Sequence, residues 1–197
     1  MPSYKLYYFP LKGRAEVIRL LFAQAGVELE DIRINFEEWP ARKHEMPFGQ
    51  MPVLEVDGKK ICQSAAIGRY VAREFNLGGK DSFSAAKSDE FSDAVMDIMM
   101  KLPWTEKDEE KKKVLMATAL NETIPPMLAT LEGLLEGDFY AGEFTVGDIV
   151  LASSADHLLS LKPDILDPTP KLKALKERVF AMPNIAKYLA TRPKTAM

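Results

Sequence analysis

The sequence predicts two parts: a small mixed α/β domain in the order βαβ-ββα, followed by an all-helical domain. Strand-like alternation and a hairpin signal are confined to the stretch before Phe83, and beyond it only helical spacing recurs. The length, 197 residues with 47% hydrophobic content, suffices for one compact domain or two small ones, each with a packed core.

The elements follow in order. "YKLYYF" (4–9) reads as an aromatic-rich strand, and "RAEVIRLLFAQAG" (14–26) sets apolar residues at helical spacing before Gly26, a C-terminal cap. "EDIRIN" (30–35) supplies a second short strand, so the opening has the length of a βαβ unit with a right-handed crossover. "EEWPARKHEMPFG", broken by Pro40 and Pro47, reads as an irregular helical turn or a loop. "PVLEV", Asp57-Gly58 and "KKIC" make an antiparallel hairpin, because Asp-Gly accepts the positive φ of a two-residue turn. "SAAIGRYVAREFN" (64–76) reads as a helix with Ser64 as N-cap, and "LGGKDSF" as a linker.

Further helices are expected at about 84–101, 106–135 with a break at Pro125-Pro126, 146–159, 171–181 and 185–191. "TVGD" (145–148) resembles a capping box with aspartate in place of Glu/Gln. The expected boundaries are 1–76 for the mixed domain, 77–83 for the linker and 84–197 for the helical domain.

Composition excludes several function classes. A net charge of -3 offers no basic field for nucleic acid or anionic lipid, and the lysines of "EKDEEKKKVL" are balanced by its own acids. The N-terminus runs directly into a strand pattern without a signal-peptide layout, and no apolar run reaches eighteen residues, so neither export nor a membrane span is expected. One cysteine, Cys62, cannot form an internal disulfide, which fits a reducing cytoplasm.

Two local features can bind a ligand. Pro52 opens a strand with a residue that cannot donate to the ladder; it either guards an edge or leaves the Met51 backbone free to pair with an extended peptide. Such an X-Pro bond can be cis where a tight turn demands it. Gln63-Ser64 stands at a helix start, whose unsatisfied amides and partial positive charge suit a carboxylate, although a serine there is often only a cap.

Together, "YYFPLKGRAEVIRLLFAQAG", "EEWPARK", "FGQMPVLEVDGKKICQS", "GRYVARE", "LGGK" and "TVGD" resemble a glutathione S-transferase of the sigma class. That class includes haematopoietic-type prostaglandin D synthases, invertebrate detoxification enzymes and lens S-crystallins. The resemblance covers essentially the whole chain. It implies a thioredoxin-like N-terminal domain that binds glutathione, a helical C-terminal domain with a hydrophobic substrate pocket, and a homodimer.

The resemblance also assigns residues. Tyr8 matches the tyrosine whose hydroxyl donates to the glutathione sulfur, and Arg14 matches a position near that sulfur. Strand alternation puts Tyr7 and Tyr8 on opposite faces, and periodicity alone does not choose between them. Trp39 and Lys43 match positions that grip the glycyl end; Gln50, Met51 and Pro52 fit the cysteinyl segment, with Met51 using its main chain; Gln63 and Ser64 take the γ-glutamyl carboxylate. Asp97 matches a residue reaching from the partner subunit to the γ-glutamyl amine.

Leu11, Met96, Met99 and Trp104 are expected to line the electrophile pocket, where thioethers adapt to variable guests, although such a methionine stripe is more often core or a dimer contact. Asp89, Asp93 and Asp97 recur every four residues, a column of like charge that calls for a cation or for solvent. The prostaglandin branch holds a divalent metal with an acid where this chain has Met96, so no metal is expected; it also carries an aromatic at Ala152 and a different residue at Asp156. No Cys-x-x-Cys stands in "FPLKG", which argues against dithiol exchange, and His44 and His157 are isolated and read as structural. The expected activity is conjugation of glutathione to small hydrophobic electrophiles, with prostaglandin D synthase isomerase activity, or a low-activity crystallin or carrier role, as alternatives.

Overall fold

The computed structural model describes residues 2–195 and divides the chain into two compact units. The first runs to Gly78 and takes in the segment from Ala181 onward; the second is Gly79–Phe180.

In the first unit, β1 (Tyr4–Tyr8) leads through a 3-10 turn at Gly13–Ala15 into α1 (Glu16–Ala25), and β2 (Glu30–Arg33) returns parallel to β1. α2 is one turn, Trp39–Arg42, followed by a 3-10 turn at Lys43–Glu45. β3 (Val53–Val56) and β4 (Lys59–Cys62) form the hairpin, with Asp57 and Gly58 at φ 47° and 81° in the turn, as Asp-Gly requires. The sheet order is β2-β1-β3-β4, parallel in the first pair and antiparallel in the others. Tyr4, Leu6 and Tyr8 point to one buried face of β1, while Tyr7 packs on the other with Ile34, Met46 and Val53.

α3 (Ser64–Glu74) packs on β3, β4 and α1. Its N-cap is Gln63, not Ser64, which is instead the first helical residue. Gln63 sits at φ 70° and ψ 117°, a conformation its own side chain does not reward locally, so no start signal was visible in its identity. The last helix, α9 (Pro183–Thr191), packs on α1. The C-terminal segment therefore belongs with the mixed unit rather than with the helices that precede it, a long-range contact that local spacing does not encode.

In the second unit α4 (Ser82–Met99) starts earlier than expected, inside the predicted linker, because Asp81 caps it: its carboxylate accepts from the Ser84 amide at 2.8 Å. α5 (Glu109–Thr118) passes through a π turn, Ala119–Thr123, into α6 (Ile124–Leu134). Pro125 and Pro126 do not end the helical path: the π turn before them leads straight into α6, in whose first turn they stand. α7 (Val146–Leu161) is buried over most of its surface and packs on α4 and on α8 (Pro170–Phe180). Gly147 allows that closeness, since a Cβ there would lie 2.9 Å from the Ser88 carbonyl oxygen of α4. The "TVGD" box forms: the Asp148 carboxylate accepts from the Thr145 amide at 2.8 Å and the Tyr140 amide at 3.1 Å.

Candidate active site

The first unit carries an open cleft lined by Arg14, Phe48, Gln50, Met51, Pro52, Cys62, Gln63 and Ser64. Three local features build it. The Met51-Pro52 peptide is cis, Pro52 is buried, and Met51 stands just outside the ladder that begins at Val53. Gln63, held at positive φ, brings the start of α3 to the other wall. Gly49 at φ 58° lets the Lys43 stem lie over it, with Lys43 Cε 3.3 Å from where a Cβ would be, beside Gln50.

Tyr8 and Tyr7 are separated by their surroundings. The Arg14 amide donates to the Tyr8 hydroxyl oxygen at 3.1 Å. That contact leaves the phenolic hydrogen available to donate, and an oxygen that already accepts is a stronger donor. Tyr7 donates its own hydroxyl to Glu55 at 3.1 Å, and Lys60 lies 5.7 Å from its ring centroid. Burial and then the Glu55 carboxylate push the Tyr7 phenol above its ordinary value, so it remains a structural donor.

The turn between β1 and α1 is close-packed around the Tyr8 hydroxyl. Gly13 sits at φ 42°, and a Cβ there would lie 2.5 Å from Leu11 Cδ1 and 2.7 Å from the Tyr8 oxygen. Only glycine fits without displacing one or the other. Leu11 thus stands in the same turn as Tyr8 and Arg14. Trp39 is half-buried against Ile34, Met46 and Val53 and meets Phe9 edge-on at 5.5 Å.

In the second unit, Met96 and Met99 are half-buried on α4, and the Trp104 indole donates to the Met99 carbonyl at 3.0 Å while its ring lies 5.2 Å from His157. Trp104 is nonetheless 42% exposed. Asp97 is exposed on α4; Ala152 is buried and Asp156 half-buried on α7. Among the described residues no three His, Cys, Asp or Glu side chains are placed to hold a metal ion, and no helix is long and apolar enough to cross a membrane.

Phe48 and Cys62 also line the cleft, which sequence reasoning did not single out. Arg19 was missed too, although a charge inside the apolar run of α1 was a signal.

Two family models match, the N-terminal domain of glutathione S-transferase over residues 2–73 and its C-terminal domain over 94–192. The chain belongs to the glutathione S-transferase family, and its four-stranded mixed sheet with flanking helices is the thioredoxin-like fold of that N-terminal domain. It is 44% identical over 200 residues to the Hematopoietic prostaglandin D synthase of Gallus gallus, covering 100% of both chains. It is 40% identical to Glutathione S-transferase 1 of Ascaris suum, covering 99% of each. Among solved structures, rat hPGDS complexed with a quinoline matches with a TM-score of 0.96 at 36% identity over 100% of both chains. Monomeric Na-GST-3 of Necator americanus matches at 0.87 and 37% identity, over 99% of this chain and 100% of that one.

Proposed function

We propose that this protein is a sigma-class glutathione transferase that activates the glutathione thiol with Tyr8 and joins it to small hydrophobic electrophiles. The observation that carries the reading is the Tyr8 hydroxyl accepting from the Arg14 amide at 3.1 Å, beside a cleft that Arg14 itself lines. The free phenolic hydrogen donates to the sulfur, and the Arg14 guanidinium supplies positive charge nearby. A free thiol ionises near pH 8.5, and each unit of depression corresponds to about 1.4 kcal/mol, within reach of one charge-assisted hydrogen bond and a cation.

The tripeptide lies along the cleft. Its cysteinyl backbone pairs with the main chain of Met51 next to Gln50 and Pro52, its γ-glutamyl carboxylate meets Gln63, Ser64 and the amides that open α3, and its glycyl carboxylate meets Lys43 and Trp39. Asp97 of a second subunit in a homodimer receives the γ-glutamyl amine. Met96, Met99 and Trp104 of the second unit receive the electrophile. The thiol proton leaves to solvent, sulfur forms a bond to carbon, and an aryl halide's halogen departs with its bonding pair. The compartment is the cytoplasm.

Turnover of an aryl halide, abolished or sharply reduced in Tyr8→Phe while glutathione-agarose retention persists, tests the reaction. Retention without any turnover overturns it in favour of a carrier. The Gallus gallus relative's name favours one further reading, isomerisation of a prostaglandin endoperoxide by the same thiolate. A direct endoperoxide assay decides that question. Sedimentation tests the dimer, and a stable monomer at micromolar concentration removes the role of Asp97.

A further inference from the structure

Behind Tyr8 lies a buried charge lattice that the reaction above does not use. Arg19, 3% exposed in the middle of α1, donates Nη1 to the Leu11 carbonyl at 2.8 Å and the Lys12 carbonyl at 3.3 Å. Its Nε bonds Asp31 of β2 at 3.1 and 3.2 Å, and its guanidinium carbon lies 5.9 Å from the Tyr8 ring centroid. Arg33 also donates to Asp31, at 2.8 Å. Glu16, 2% exposed, lies 3.4 Å from Arg19 Nη1 and receives Arg192 Nη1 at 2.6 Å and the Tyr188 hydroxyl at 3.2 Å, the last two from the C-terminal segment. Burial, then the Glu16 carboxylate, pushes the Tyr188 phenol far above its ordinary range, so it remains a donor.

We infer that Arg19 is a positioning residue for thiol activation: it ties down the Leu11–Lys12 carbonyls so that the Arg14 amide meets the Tyr8 hydroxyl, and α9 locks it there through Glu16. The inference rests on Tyr8 being the thiol's hydrogen-bond donor. Stability alone is a poor account of this arginine. Its Nη2 is buried without a partner among the described residues, and a buried charge with an unmet amine is a weak stabiliser compared with an apolar side chain of similar size. What a planar fork does well is hold fixed groups in a fixed relation, here a turn, a strand and a ring. Both carbonyls belong to the segment that leads into the Arg14 amide, so slackening them loosens the bond to the Tyr8 oxygen directly.

The test is ultraviolet titration of the thiolate of bound glutathione, together with kinetics, in Arg19→Lys, Asp31→Asn and Tyr188→Phe. A lysine is a point donor and cannot hold the carbonyls and Asp31 together. In Arg19→Lys the bound thiol should titrate about one pH unit higher, with turnover at pH 7 down about tenfold and recovering as pH is raised, while the KM for glutathione changes less than about threefold. Asp31→Asn and Tyr188→Phe, which keep Arg19 but loosen its anchors, should shift the titration the same way by smaller amounts. Circular dichroism identifies the folded variants. An unmoved titration in folded Arg19→Lys, or in both milder variants should the lysine variant not fold, overturns the role. A wild-type complex whose thiol titrates at its ordinary value instead overturns the reaction itself, and the positioning role with it.

Discussion

The two compact units solve their polar problems in opposite ways. The first buries Arg19 and Glu16 in a lattice that ends on the turn beside Tyr8. Among the described residues of the second, the fully buried ionisable side chain is Asp148, and it serves the start of its own helix. One lattice spans sheet, turn and two helices; the other is local. The lesson is a division of labour: buried polar geometry in the first unit fixes the turn beside Tyr8, whereas the buried carboxylate in the second fixes the start of a helix.

Substitutions can break that division. Tyr8→Phe should lower kcat/KM for an aryl halide by about a hundredfold, as loss of one oriented donor does, with the melting temperature nearly unchanged. A large drop in melting temperature with intact turnover would invert the comparison. Gly13→Ala, which forces a Cβ against Leu11 and the Tyr8 oxygen at positive φ, should cut turnover by about tenfold and raise the thiol titration, read by the same ultraviolet signal.

The second unit should respond otherwise. Asp148→Ala strands the Thr145 and Tyr140 amides and should cost about 2 kcal/mol in chemical denaturation, with kcat per folded molecule unchanged. Trp104→Ala should alter the KM for the electrophile about threefold and leave that for glutathione alone.

The smallest effects are pH slopes of opposite sign at the two helix starts. Asp81, whose carboxyl is held below its ordinary value chiefly by the Ser84 amide, contributes stability above pH 3.8 that is lost as pH falls through its lower folded value. Asp148 is raised by burial, so its contribution is full below pH 3.8 and declines as pH rises through its higher folded value. Melting temperatures of Asp81→Asn and Asp148→Asn against wild type, from pH 3 to 7, should therefore diverge in opposite directions. Parallel slopes would sink the contrast.

How much of this was legible follows the same line. β1, α1 and the hairpin were readable because alternation, helical spacing, Gly26 at φ 66° and Asp57-Gly58 are local codes. The "TVGD" box was readable for the same reason. The cap at Gln63 was not, because nothing in glutamine announces positive φ; tertiary packing imposes it. The placement of α9 was equally hidden, being set by Glu16, Tyr188 and Arg192 across 172 and 176 residues of chain. At the site, motif resemblance named candidate residues but not their relations: that the Arg14 amide, rather than its guanidinium, meets the Tyr8 oxygen is a fact of geometry.

The docking of α9 on α1 has a consequence for biosynthesis. A chain emerging from the ribosome delivers β1 to α3 well before Tyr188 and Arg192, the partners of Glu16, which lie 172 and 176 residues further on. The middle of the chain, Gly79–Phe180, is free to fold while the earlier segment still waits for its final helix, so the order of maturation runs against the order of synthesis.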